Sequence, residues 1–391
     1  MQWVSSPDRG KPVHCAASLK GWPLNHYSEV SVRSAGGGYS VRVGAGVREL
    51  IAPAVARAAP SRRCALISDH NVEARWGSEV IASLRDGGID VVGISFAPGE
   101  ASKTRETWAA LTDSLLGAGL GRDACVVSLG GGVVGDVAGF VAATYLRGVP
   151  FIQVPTTTLA MIDASVGGKT GVDHPTGKNL VGAFHAPEVV LADPEFLSTL
   201  GAGTRAEGYA EAVKHGVIVD APYAAWLSRT AEPLVRGAAE AVKRAVVRSV
   251  EIKGEVVSGD EFEAGRRQIL NLGHTVGHAL ELDSAYSLPH GHAVAVGMVA
   301  EARIGEALGV TAKGTTREIR SLVRAFGLPD DNPALRRPRR IAELMVRDKK
   351  TRSGVVHMVR LEELGRTGVG NEVTTPVATT ELVRIMKGWA Q

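Results

Sequence analysis

Cys125-Val126-Val127-Ser128-Leu129 runs directly into Gly130-Gly131-Gly132-Val133-Val134-Gly135-Asp136. A short apolar run bounded by glycine reads as a buried strand, of the kind found in parallel sheets covered by helices. The glycines then open a helix. They let backbone amides approach a pyrophosphate, and the helix N-terminus favours the negative charge. The spacing matches a dinucleotide fingerprint only loosely, so a purely structural strand–helix turn is the rival reading.

The same alternation runs through the first half of the chain. Val30-Ser31-Val32-Arg33 and Tyr39-Ser40-Val41-Arg42-Val43 alternate about a Gly-rich turn and predict a β-hairpin. A helix over 47–58, the strand Cys64-Ala65-Leu66-Ile67-Ser68-Asp69, a helix to 86, a strand over 91–96 and a helix over 104–118 follow. This order indicates an open α/β sheet through residue 195. Beyond Pro194, helix-period segments rich in Ala, Glu, Val, Arg and Leu dominate 204–390. The expected architecture is an α/β nucleotide-binding domain over 29–200 and a mainly α-helical domain over 201–391. Residues 1–28 read as a flexible, poorly ordered extension. No internal repeat or low-complexity region interrupts this order.

With 391 residues, 45% hydrophobic and 22% charged, the chain is long enough for two cored domains of ordinary soluble composition. A net charge of +3 is too small to imply a nucleic-acid partner. Cys15, Cys64 and Cys125 are widely spaced and odd in number, which indicates reduced thiols in a cytoplasmic protein rather than a disulfide framework. No apolar run approaches the roughly 20 residues of a membrane span. The first residues also lack the apolar core of a signal peptide. Arg336-Arg337-Pro338-Arg339-Arg340 reads as a solvated surface turn, with a phosphate-binding patch as the alternative.

Leu270-Asn271-Leu272-Gly273-His274-Thr275-Val276-Gly277-His278 places two imidazoles one helical turn apart, a spacing that suits metal ligation. Two partly buried helix histidines are the bland alternative. Pro289-His290-Gly291-His292 follows, and Glu211, Lys214 and His215 lie upstream on a second expected helix. Asp69-His70-Asn71-Val72 closes an earlier strand, where an acid either binds ribose hydroxyls or caps a helix. Pro155-Thr156-Thr157-Thr158, the segment from Asp163 to Lys169-Thr170-Gly171, and Gly177-Lys178-Asn179 combine exposed backbone with lysines. That combination suits a phosphorylated or carboxylated small molecule better than plain surface turns. Helical spacing relates Glu263 to Arg267 and Arg267 to Asn271, and with Lys253 they either face one site or form a solvated salt-bridge face.

Taken together, 130–136, Tyr145-Leu146-Arg147-Gly148, Pro155-Thr156-Thr157, 163–171, 177–182, 210–216 and 271–278 resemble, in order and spacing, the motifs of the 3-dehydroquinate synthase family of sugar phosphate cyclases. The resemblance covers roughly residues 38–375. It implies a fold related to that of glycerol dehydrogenases, and an enzyme that uses NAD and a divalent metal, zinc or cobalt. The implied substrate is the seven-carbon keto-acid phosphate DAHP. The implied reaction is oxidation by NAD+, phosphate elimination, reduction and intramolecular aldol closure to 3-dehydroquinate, which makes the enzyme a carbon–oxygen lyase.

Carried over by position, the resemblance makes Glu211, His274 and His290 the metal ligands and moves His278 into the substrate pocket. Asp163, Lys169, Asn179, Lys214, Lys253, Glu263, Arg267 and Asn271 match substrate positions. Lys349 and Lys350 fall where the family places one phosphate-contacting lysine, with the choice between them open and Lys350 taken as the candidate. Arg147 matches an arginine that reaches into a neighbouring subunit's site, which implies a homodimer. The positions for NAD are Asp69, Asn71, Val72, Glu100, Lys103, Gly131, Gly132, Val133, Asp136, Thr156, Thr157, Lys178, Phe196 and Thr199.

The chain departs from the family pattern at His292, where Glu is usual, at Phe262, where Arg is usual, and at Arg266, where an apolar residue is usual. Its N-terminal extension is also longer than a minimal synthase needs. These departures leave room for a sister activity on the amino analogue of DAHP, a step toward ansamycin precursors in antibiotic biosynthesis. Cyclases of carboxylate-free sugar phosphates, a simple NAD-dependent polyol dehydrogenase and an inactive binding protein are the remaining alternatives. The complete metal set argues against the last.

Overall fold

The computed structural model describes residues 27–34, 37–175, 177–260, 263, 265–348 and 354–390. Cys15, Phe262, Lys349 and Lys350 lie outside these residues, as does nearly all of the expected extension. Its last residue, Ser28, already begins a strand.

The hairpin forms as expected: β1 (Ser28–Val32) pairs antiparallel with β2 (Tyr39–Val43), Val30 opposite Val41. α1 (Ile51–Ala58) leads to β3 (Arg63–Asp69). α2 (His70–Val72) and α3 (Ser78–Asp86) lead to β4 (Asp90–Phe96). α4 (Arg105–Gly117) then precedes β5 (Cys125–Gly130), which is buried along its whole length and runs into α5 (Gly132–Thr144). β6 (Phe151–Pro155), β7 (Lys169–His174), β8 (Gly177–Phe184) and β9 (Val189–Ala192) complete this half.

The main sheet has the order β1-β2-β9-β6-β5-β3-β4, with every pair parallel except β1–β2. β3 lies between β4 and β5, so the chain reverses its direction across the sheet at the β3–β5 neighbours. Crevices for ligands open at the carboxyl ends of strands at such a point. β7 and β8 form a separate antiparallel hairpin over α5. In sequence this segment reads as exposed backbone and lysines suited to an anionic ligand, with no strand expected. Its pairing depends on packing of Val172 against the distant α5 and is not signalled by local alternation.

The second half is mainly helical, as expected: α6 (Ala202–Val219), α7 (Ala221–Arg236), α8 (Ala239–Gly259), α9 (His274–Asp283), α10 (His290–Leu308), α11 (Thr315–Ala325) and α12 (Pro338–Asp348). One correction falls near its end. β10 (Val355–Val359), β11 (Leu361–Glu363), β12 (Arg366–Thr367) and β13 (Thr374–Ala378) form two small antiparallel pairs before α13 (Thr379–Lys387). Among the described residues, no helix is long and apolar enough to cross a membrane.

One apolar core is continuous between the halves, running from Val41, Leu66 and Ile152 on the sheet to Val213, Val250 and Met298 on the helices. A close crossing of α9 and α10 matters most for the site. A Cβ on Gly297 would lie 1.9 Å from the Gly273 carbonyl oxygen, so only glycine lets α10 approach the start of α9 this closely. The Arg336–Arg340 run is a charged surface: Arg336 pairs with Asp331, and Arg337 and Arg340 both reach Asp283 at the end of α9. Cys64 and Cys125 are free, buried and opposite one another on β3 and β5.

Candidate active site

A cleft of about 1420 Å³ lies between the carboxyl ends of the central strands and the helices of the second half. On the sheet side, Gly131, Gly132, Val133 and Asp136 bring the N-terminus of α5 to its wall, beside Thr156 and Thr157 after β6. Backbone amides at this helix start suit an anionic pyrophosphate. Asp69 also lines the cleft, and its Oδ1 accepts from Asn71 N at 2.9 Å and Val72 N at 3.0 Å, so it caps the turn after β3. Buried Lys103 bonds both Asp136 and Asn179 and thereby joins α5 to β8. Burial works against its charge, but Asp136 and Glu100 outweigh it and raise the Lys103 pKa.

The middle of the cleft holds a network of cations and acids. Lys253 Nζ is 2.8 Å from both Oδ1 and the carbonyl oxygen of Asp163, and Lys214 Nζ is 4.0 Å from the same Oδ1. Burial opposes ionisation of Asp163, yet Lys253 and Lys214 hold its carboxyl well below the usual range. Arg267 is 3% exposed and points Nη2 at the Gly167 carbonyl oxygen, 3.4 Å away. Glu263 accepts from Asn271 Nδ2 at 2.7 Å and pairs with Lys169. The expected helical relation of Glu263 to Arg267 does not form. Glu263 has φ +61° and lies outside any helix, while Arg267 sits in a 3₁₀ turn over Arg266–Asn271.

At the helical end, α6 contributes Glu211, the first turn of α9 contributes His274, and the first turn of α10 contributes His290. Glu211 Oε1 is buried with no hydrogen-bond partner and faces Nε2 of His274 at 3.6 Å and Nε2 of His290 at 3.5 Å. Lys214 pairs with the other Glu211 oxygen. Ligand atoms of these three residues all lie within 4.8 Å of one another. A divalent cation among them would satisfy the stranded oxygen, and two imidazoles with one carboxylate suit zinc or cobalt. His274 is held neutral, its pKa pushed well below the usual value by burial and by Lys214, as a metal ligand requires. His278 sits beside it, with ring centres 5.3 Å apart, but falls outside the three-residue cluster.

Residues 93–206 match the family described as 3-dehydroquinate synthase N-terminal, and residues 208–351 match 3-dehydroquinate synthase C-terminal. A 3-dehydroquinate synthase from Symbiobacterium thermophilum is 43% identical over 348 residues, covering 88% of this chain and 96% of that protein. The chain belongs to the 3-dehydroquinate synthase family. Its fold is shared with two solved cyclases, each 26% identical. One is a 2-deoxy-scyllo-inosose synthase complexed with carbaglucose-6-phosphate, NAD+ and Co2+ (TM-score 0.84, covering 92% of this chain and 99% of that one). The other is a 2-epi-5-epi-valiolone synthase from Streptomyces hygroscopicus subsp. jinggangensis with NAD+ and Zn2+ (TM-score 0.80, covering 94% and 99%).

Most positions expected from the dehydroquinate synthase motifs come together. Asp163, Lys169, Asn179, Lys214, Lys253, Glu263, Arg267, Asn271 and His278 line one cleft, and so do Asp69, Asn71, Val72, Glu100, Lys103, Gly131, Gly132, Val133, Asp136, Thr156, Thr157, Lys178 and Thr199. Arg147 is exposed on the 3₁₀ turn Tyr145–Arg147 and does not line the cleft of its own chain. Phe196 does not line it either. The 3₁₀ turn Pro194–Thr199, capped by Asp193, turns Phe196 into the core, where its ring meets Trp76 edge-on at 5.0 Å. Trp76 is the ring of this pair that lines the cleft.

The sequence reading did not single out Glu207, Glu281, Tyr286 or Glu301. The first three line the cleft. Glu207 is raised by burial, against the opposing pull of His292 and His290. Glu281 stands seven residues after His274 and three after His278, a helical spacing that did carry a signal for it.

Proposed function

We propose that this chain is a 3-dehydroquinate synthase, an NAD- and divalent-metal-dependent lyase converting DAHP to 3-dehydroquinate and phosphate. A nucleotide-binding half over 29–200 and a metal- and substrate-binding half over 201–391 would share the work. The observation that carries this reading is one cleft with three connected parts. The α5 N-terminus lies at one end, Glu211, His274 and His290 lie at the other, and Lys169, Lys214, Lys253 and Arg267 lie between them. A polyol dehydrogenase needs the two ends but has no use for so many cations between them.

When bound, NAD+ takes up and returns hydride, and the metal polarises substrate hydroxyls. The protein's own groups bind and orient. Lys253 and Lys214 hold Asp163 ionised, so its carboxylate is a fixed acceptor for a substrate hydroxyl. Lys169 and Arg267 supply charge for the substrate's phosphate or carboxylate, with Glu263 and Asn271 holding Lys169 in place. His278, beside the metal triad, is placed to hydrogen-bond substrate or to move a proton. Arg147, exposed and not lining its own cleft, is assigned to the site of a second copy, and the enzyme works as a cytoplasmic homodimer.

The 43% identical relative bears the dehydroquinate synthase name, which favours DAHP over its amino analogue. The test is phosphate release by metal-loaded protein with NAD+, offering DAHP and amino-DAHP separately and identifying products by mass. One 3-dehydroquinate per phosphate from DAHP, with no accumulation of NADH, is the expected result. Stoichiometric NADH without phosphate release would overturn the proposal in favour of a dehydrogenase.

A further inference from the structure

Glu281 lies on α9, two turns beyond His274, with its side chain 3% exposed. Its Oε1 accepts from Lys178 Nζ at 3.1 Å and faces His290 Nδ1 at 3.5 Å. The same imidazole turns Nε2 toward Glu211. His290 therefore stands between two carboxylates, one on each ring nitrogen. A neutral imidazole carries one proton, and the nitrogen that carries it cannot ligate a metal.

Resting on the metal-site reading above, we propose that Glu281 is a positioning residue. It holds the His290 proton on Nδ1, leaving the Nε2 lone pair aimed at the metal, and it ties this ligand to Lys178 on the nucleotide side of the cleft. The other imidazole ligand shows the contrast. His274 Nδ1 faces a backbone carbonyl, that of Leu272 at 3.3 Å, and no carboxylate among the described residues. An anionic partner makes a ligating imidazole more basic than a carbonyl does, so His290 is the more tightly tuned of the pair. The link extends further. Lys178 also reaches Glu100 at 3.3 Å and lies 4.7 Å from the centre of the Tyr286 ring, so β8, α9 and the turn after β4 meet at this one lysine. Buried Glu281 is thus the junction of the two ends of the cleft.

The test measures Zn2+ affinity by chelator competition, and the visible spectrum of the Co2+-loaded protein, for the parent, Glu281→Gln, Glu281→Asp and His274→Ala. Circular dichroism confirms that each variant is folded. Glu281→Gln, matched in size but uncharged, is expected to bind Zn2+ about 10- to 100-fold more weakly, with a shifted Co2+ band. Glu281→Asp, charged but shorter, is expected to fall between it and the parent, and it carries the test if Glu281→Gln does not fold. His274→Ala is expected to lose the metal. Parent-like affinity and spectrum in the folded Glu281 variants would overturn the proposal while leaving the metal site intact. Equal metal uptake by the parent and His274→Ala would instead overturn the metal-site reading, and this proposal with it.

Discussion

The carboxylate of Glu301 on α10 closes the first turn of α9, accepting from Val276 N at 3.0 Å and, through its other oxygen, from Gly273 N at 3.0 Å. Both amides belong to a helix start that lacks a side-chain cap of its own. His274 is the first residue of that helix, so its direction is set from α10, the helix that also carries His290. Glu301→Gln puts an NH2 group where one of the two amides needs an acceptor. It should cost about 1–3 kcal/mol of stability, read from urea unfolding midpoints, and should weaken Zn2+ binding as His274 shifts. Unchanged stability with unchanged metal affinity would show that the cap does not position the ligand.

How far such relationships were legible from sequence depends on their range. β5 and the turn into α5 were plain, because an apolar run followed by three glycines is a local signal. The β7–β8 hairpin was not, because Lys169-Thr170-Gly171-Val172-Asp173-His174 has no alternation of its own and is held by α5. The metal set emerged only from order and spacing of motifs. The His274/His278 pair alone pointed to both histidines, whereas the fold selects His274 and brings in His290 and Glu211 from separate helices. Phe196, a position supplied by the resemblance alone, keeps its side chain in the core because a 3₁₀ turn, invisible to periodicity, decides which way it faces. Glu301 acts across 25 and 28 residues of chain, beyond the reach of any local pattern, whereas Glu281 shares a helix face with His274 and His278 and only its reach to Lys178, across 103 residues, had no local sign.

Gly167 offers a second test of long-range positioning. Its φ is +106°, and a Cβ there would lie 2.7 Å from Arg267 Nη2. Gly167→Ala therefore strains the backbone and pushes the buried guanidinium out of place. The expected result is a folded protein whose kcat/KM falls about tenfold or more, with NAD+ affinity nearly unchanged. Wild-type kinetics in this variant would show that Arg267 is not held against the Gly167 carbonyl in solution.

The paired histidines make opposite predictions for metal, though both are needed for turnover. His274→Ala should abolish both Zn2+ binding and activity. His278→Ala should keep the metal and lose about a hundredfold or more in kcat, the usual scale for removing a proton-transfer group. Metal analysis of the two purified variants, alongside steady-state kinetics, separates the roles. Equal metal loss from both would place His278 among the ligands after all.

Acid stability follows from Glu281. Without metal, burial opposes the His290 charge, but the two carboxylates push its pKa up to about 10, so it is cationic. Burial pushes the Glu281 pKa up, but the hydrogen bond to His290 and the charges of His290 and Lys178 more than offset this, and the folded value falls to about 2 from an ordinary 4.5. A folded pKa below the unfolded one means that the ionised form favours the fold. This contribution is fully present above the unfolded value and is lost as pH falls from about 4.5 toward 2. It amounts to roughly 3 kcal/mol at most, at 1.36 kcal/mol per pH unit. Chelator-treated Glu281→Gln should thus be less stable than the parent at pH 7. The gap should narrow as both proteins are unfolded in urea at successively lower pH. A gap that stays constant down to pH 3 would mean that Glu281 gains nothing from its partners in the folded protein, and that the mutation acts through packing alone.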